Sequence, residues 1–214
     1  MNQLKDIHKN IRRFLIFTVV ILTVSPIGVR DVMAATVLQA GATWEYTFTD
    51  PTGDAGWNTT SGGWSTGAAP FGSCNGCGQD PDFDYNTLWP ADGSDGDDLW
   101  VRIAVDFTGF DVATALWDLG VDNGFKLYAN GALVGSGNAE GYTYQWEYDG
   151  NFLAATLGAG INVIAVALED HGGLTAFDMQ ITADLNPVPV PAAVWLFGTA
   201  MIGLFGFKKR QKAA

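Results

Sequence analysis

Between Ala35 and Asn186 no helical period runs longer than two turns. Apolar residues come instead in short or alternating runs bounded by Gly, Asn and Asp, the pattern of an antiparallel sandwich or barrel. Strands are predicted over 42–48, 99–107, 113–119, 124–129, 132–134, 142–148, 161–168 and 174–181. Asn130-Gly131, between Leu-Tyr-Ala and Ala-Leu-Val, is the strongest hairpin signal because both turn residues tolerate positive φ. A chain of 214 residues with 27 glycines fits one turn-rich domain plus targeting segments. The expected fold is an all-β antiparallel β-sandwich of two sheets, four to five strands each, over residues 35–186.

Charge separates the chain into three parts. The net charge is −12, but residues 35–186 hold 21 acidic and 2 basic residues, hence −19. Such a surface repels phosphate backbones and excludes nucleic acid as a partner; cations are the natural counterparts. The basic residues collect at the two ends.

Lys5, Lys9, Arg12 and Arg13 precede an apolar run of 11 residues, Phe14 to Val24. At 1.5 Å per residue that run cannot span a core of about 30 Å, so it reads as the centre of a signal peptide. Val32-Met33-Ala34 places short residues where a signal peptidase reads, giving a signal peptide over 1–34 cleaved after Ala34. At the other end, 16 uncharged residues from Ala192 to Phe207 are followed by Lys208, Lys209 and Arg210. They predict a short transmembrane helix over 192–207 with its basic cluster, 208–212, on the cytoplasmic side.

The run VPVPAAVWLFGTAMIGLFGFKKR resembles the C-terminal sorting signals of the PEP-CTERM class, most closely the VPLPA-CTERM variant. These combine a short Pro-containing motif, an apolar helix with Trp-Leu-Phe-Gly and a terminal basic cluster. The resemblance implies a sorting domain over 187–214 and recognition by an exosortase, a membrane-embedded cysteine transpeptidase, at the inner membrane of an exopolysaccharide-producing Gram-negative bacterium. By that resemblance Val188, Pro189, Val190, Pro191, Ala192 and Ala193 form the sorting motif, with Val190 where the variant has Leu. The order Ala69-Pro70-Phe71-Gly72, DLWVRIAVDF, VDNGFKLYANGALVG, LGAGINVIAVALEDHGG and AFDMQI resembles the galactose-binding-like jelly roll over about 57–181. That arrangement recurs as the sugar-binding domain of large glycosidases and in secreted bacterial surface proteins.

Several residues could carry binding. Tyr142, Tyr144, Trp146 and Tyr148 alternate with polar residues, which on a strand puts four rings on one face. That face is either a sugar-stacking platform or the core side of the sandwich. Trp57, Trp64 and Trp89 lie in Gly- and Asp-rich stretches, where glycan contact and packing over a sheet edge both fit. Asp80, Asp82, Asp84, Asp92, Asp95 and Asp97 supply alternating oxygen ligands suited to calcium, although no EF-hand is complete; a solvated acidic loop is the alternative. Cys74 and Cys77 are the only cysteines, and outside the cytoplasm the pair reads as a local disulfide.

No catalytic residue is assigned. Gly63-Trp64-Ser65-Thr66-Gly67 matches the nucleophile-elbow spelling but lacks the strand and helix that the elbow needs. Glu147 and Glu169 are a nominal glycosidase pair among many acids. The expectation is a non-enzymatic, exported surface or extracellular-matrix protein that binds exopolysaccharide glycans. A purely structural surface protein and a small glycan hydrolase are the alternatives.

Overall fold

The computed structural model describes residues 33–74, 85–90, 98–138, 146–153 and 155–187. These form twelve strands: β1 Ala34–Leu38, β2 Thr43–Thr47, β3 Ser65–Ala68, β4 Phe71–Cys74, β5 Thr87–Leu88, β6 Leu99–Asp106, β7 Phe110–Asp122, β8 Gly124–Ala129, β9 Ala132–Asn138, β10 Tyr148–Asn151, β11 Ile161–Glu169 and β12 Leu174–Leu185. One sheet runs β10-β7-β12-β4-β5, with β1 also on β12; the other runs β3-β2-β6-β11-β8-β9. All pairings are antiparallel except β4 with β5. The all-β expectation holds, with six strands per sheet rather than four or five.

Alternation along the strands builds the core between the sheets. Phe177, Met179, Ile181 and Ala183 of β12 face Leu99, Val101 and Val105 of β6 and Ile164, Val166 and Leu168 of β11 within one buried cluster. Trp44 of β2 meets Phe177 edge-on at 5.2 Å, joining the sheets through a favourable aromatic pair. The central strand β11 is buried on both faces, since Ala165 belongs to a second cluster with Trp57 and Trp100 outside the sandwich.

The sandwich has two distinct ends. At one, β6 turns into β7 through 107–109, β8 into β9 through Asn130-Gly131, and β10 leads to β11 through 152–160. Asn130 sits at φ 49, accepts from Val163 N and donates to Thr156 O and Asn162 Oδ1. Met33 and Asn186 flank the paired residues Ala34 and Asp184 there, so both ends of the described chain leave side by side. This is the terminal end. At the opposite, loop end, β7 enters β8 through Asn123 and β11 enters β12 through 170–173. Cys74, Asp98 and Asn138, which border segments 75–84, 91–97 and 139–145, lie at the loop end as well.

The strand predicted over 142–148 does not form as read. Trp146 lies in a turn at φ 63, which breaks the two-residue alternation, and β10 starts only at Tyr148. Tyr148 packs on Phe125 at 4.9 Å on the core side. Tyr142 and Tyr144 lie outside the described residues. So do residues 1–32, the sorting motif 188–193, the apolar segment 192–207, Lys208, Lys209, Arg210, Cys77 and Asp80, Asp82, Asp84, Asp92, Asp95 and Asp97. Cys74 closes β4, and its side chain is also outside that set.

Two glycines let the edges close over Trp117. A Cβ on Gly150 would stand 2.5 Å from the indole of Trp117, and one on Gly135 would stand 2.8 Å away. Gly150→Ala is therefore expected to destabilise by about 1–3 kcal/mol through overpacking. Gly53, with nothing near its Cβ position, is the control: Gly53→Ala leaves the unfolding midpoint unchanged. Thermal unfolding followed by circular dichroism checks both, and equal midpoints for the two variants would refute the close fit.

Candidate functional site

The outer face of the β2-β6-β11-β8 region is covered by the chain between β2 and β3. Its turns are local: Thr52 N donates to Asp50 Oδ1, Asp54 N to Pro51 O, Trp57 N to Asp54 O and Thr59 N to Gly56 O. Trp57 is thereby laid over Ala165 beside Trp100, with Tyr128 edge-on at 5.3 Å. The strap follows from its sequence, since Asp, Gly and Pro make turns and a lone apolar Trp needs a surface to cover.

One cation ties the strap down. Arg102 of β6 stands opposite Glu45 of β2 and is only 5% exposed. Its Nε donates to Glu45 Oε2 at 2.9 Å, Nη1 to Trp57 O at 3.1 Å and Nη2 to Gly62 O at 2.6 Å. Gly62 N donates in turn to the Glu45 carboxylate. The guanidinium also lies 3.8 Å from the centroid of Trp64, a cation–π contact worth about 0.5–2 kcal/mol. A buried charge is tolerated only when paired and hydrogen-bonded, and this one meets both conditions.

The fixed indole of Trp64 lines an open cleft of about 430 Å³ together with Tyr46, Thr47, Phe48, Thr49, Gly63 and Ser65. The cleft sits beside β2 and β3 toward the loop end. Tyr46 is set by edge contacts with Phe48 at 5.6 Å and Phe71 at 5.4 Å. Aromatic walls and threonine and serine hydroxyls combine apolar surface with hydrogen-bonding groups, and the volume lies in the small-ligand range of about 300–1,000 Å³.

Of the three tryptophans expected in loops, only Trp64 lines this cleft. Trp57, on the strap itself, is buried against Trp100 and Ala165 of the sheet. Trp89 is fully enclosed in the core, and its carbonyl accepts from Ser73 Oγ and Thr175 Oγ1. Its ring has no route to a ligand at the surface, because the segment around it is fastened to β4 and β12. Trp146 lies in its turn, half-buried. Sequence reasoning missed Tyr46 and Phe48, although their spacing of two on a predicted strand puts them on one face.

The nominal acids are placed differently. Glu169 at the end of β11 pairs with Lys126 at 2.8 Å and lies 3.7 Å from His171. The Lys126 hydrogen bond holds its carboxyl below the usual range, the opposite of what a general acid needs. Ser65 opens edge strand β3, so the elbow spelling falls on no strand–turn–helix unit.

No family model matches the chain, and no curated protein matches it. Among solved structures it is similar to β-glucuronidase from Ruminococcus gnavus. The complex with D-glucaro 1,5-lactone aligns at 10% identity and a TM-score of 0.43, covering 71% of this chain and 29% of that one. The complex with uronic isofagomine aligns at 12% and 0.44, covering 71% and 28%. The chain thus spans less than a third of the length of these solved chains. They are enzymes, and the expectation of a non-enzymatic chain is corrected on that finding: the exclusion of enzymatic activity does not stand.

Arg102→Lys keeps the charge but removes the planar fork that serves three acceptors. It is expected to cost about 1–3 kcal/mol and to loosen the strap. A lower unfolding midpoint, together with faster exchange of the Gly62 amide, checks this; native exchange at Gly62 would show that Arg102 does not hold the strap.

Proposed function

We propose that the chain is an exported surface or extracellular-matrix protein whose β-sandwich, of galactose-binding-like jelly-roll type, binds a glycan in the Trp64 cleft. The observation that carries this is the Trp64 ring, fixed by Arg102 at 3.8 Å and lining a cleft with Phe48 and the hydroxyl residues Tyr46, Thr47, Thr49 and Ser65. A fixed aromatic wall stacks on the apolar CH face of a sugar at little entropic cost, while neighbouring hydroxyls meet its OH groups. The −19 charge of residues 35–186 favours neutral or cation-bridged saccharides, and calcium at Asp80, Asp82, Asp84, Asp92, Asp95 and Asp97 belongs to the same reading. Delivery is by the signal peptide 1–34 and, through the motif 188–193, by an exosortase.

A glycan array probed with the protein, with calcium and with chelator, tests the binding. Binding that falls at least about tenfold in Trp64→Ala, equivalent to about 1.4 kcal/mol, supports the cleft. Binding unchanged in Trp64→Ala removes it, and an array without signal leaves a structural surface protein. Turnover of extracted exopolysaccharide by the same preparation reads enzymatic activity directly.

Sorting has a separate test. Substituting Pro189 and Pro191 by Ala is expected to leave the C-terminal segment attached, raising the mature mass by that of the tail. An unchanged mature mass would sink exosortase recognition.

A further inference from the structure

The terminal end of the sandwich collects exposed apolar side chains. Ile161, 76% exposed, opens β11; Leu153, 59% exposed, follows β10; and Leu185 closes β12. Pairing sets Ile161 opposite Asp106 in one sheet and Leu185 opposite Phe110 in the other, at the same end of the sandwich. Asn130 Nδ2 bonds Thr156 O, which fastens the segment carrying Leu153 to that turn. From Asn151 through Ile161 the chain has no charged residue. The charges at this end are the carboxylates Asp106, Asp111 and Asp184; neither Arg102 nor Lys126 belongs to it.

Both chain ends leave here. Between Leu185 and the apolar run that starts at Ala192 lie six residues, so the seven steps from Leu185 to Ala192 reach at most about 25 Å when fully extended. Any bilayer that holds residues 192–207 therefore stands within that distance of Leu185, on the side where the exposed apolar residues lie.

We propose that the terminal end is a lipid-contact surface, resting on the bilayer in which the C-terminal segment is anchored and turning the Trp64 cleft away from it. The proposal rests on the transmembrane reading of residues 192–207 and applies to the chain before the exosortase removes that segment. The partner is a bilayer surface of low charge, since apolar side chains and three carboxylates suit an uncharged interface and not an anionic one. The orientation leaves the cleft open to extracellular polymer.

The test uses the full chain in phosphatidylcholine vesicles. Single cysteines are introduced as Leu153→Cys and Ile161→Cys at the terminal end and as Thr49→Cys at the cleft. Labelling by a water-soluble maleimide is compared in vesicles and in detergent under non-reducing conditions, against the parent chain as the background for Cys74 and Cys77. The expected result is labelling several-fold slower in vesicles at 153 and 161, with no change at 49. Equal rates at all three positions in a chain that floats with the vesicles would overturn the lipid contact and leave the anchor intact. A chain that does not float would overturn the anchor and the contact together. Protection already present in detergent and rising with protein concentration would assign the surface to a second copy of the chain and overturn the lipid contact.

Discussion

Strand β12 holds one whole sheet together. Along one edge it pairs with β7 from Ala176 to Leu185; along the other it pairs with β4 at Leu174–Phe177 and with β1 at Ile181–Asp184. No pairing joins β7 to β4 or to β1, so none of the three has a neighbour on that side until Leu174–Leu185 arrives. Because β12 is the last strand of the sandwich, β1 waits for its partner, and β4 for its neighbour on the side away from β5, until about 100 residues or more later in sequence. Non-local closure of this kind is slow, and it completes only after the whole domain has been made.

The second sheet solves a different problem. Its central strand β11 is apolar on both sides, so its outer face needs a cover that no helix supplies among the described residues. The strap between β2 and β3 provides one with Trp57 and Trp64, and the cover demands a polar anchor because its backbone must be satisfied against a buried surface. Arg102 is that anchor, one of two basic residues between Ala35 and Asn186. Burial, hydrogen bonding and ring stacking on this side chain explain together why the Trp64 wall has a fixed position. The fixed position of Trp64 is thus a by-product of covering β11.

The long central strands were legible in the sequence because their apolar periodicity is strong: β6, β8 and β11 lie within a residue of the predicted bounds. Strands β1, β3, β4 and β5 were not predicted. Ser-Thr-Gly-Ala in β3 and Phe-Gly-Ser-Cys in β4 carry little apolar signal, and what makes them strands is hydrogen bonding to β2 and β12. The aromatic row failed for the converse reason, since its alternation suggested a strand that the left-handed turn at Trp146 interrupts. Trp64 was picked out by composition, whereas Trp89, in similar surroundings, is core. The difference lies in tertiary partners: Ser73 and Thr175 hold Trp89 inward and Arg102 holds Trp64 at the surface, and neither relation is local.

Charge follows the two-ended layout. Segments 75–84 and 91–97 bring seven of the domain's 21 acidic residues if Asp98 is counted with them, and they border strand ends at the loop end. The segment 152–160 at the terminal end carries none. A uniform domain of −19 would repel an anionic surface from every side and itself within its own fold. The segments that carry these carboxylates start from or return to the loop end at Cys74 and Asp98, while Leu153, Ile161 and Leu185 are exposed at the terminal end, and this gives the sandwich a direction. The direction coincides with the exit of both chain ends, because β1 and β12 are antiparallel neighbours and the chain has to enter and leave at the same place.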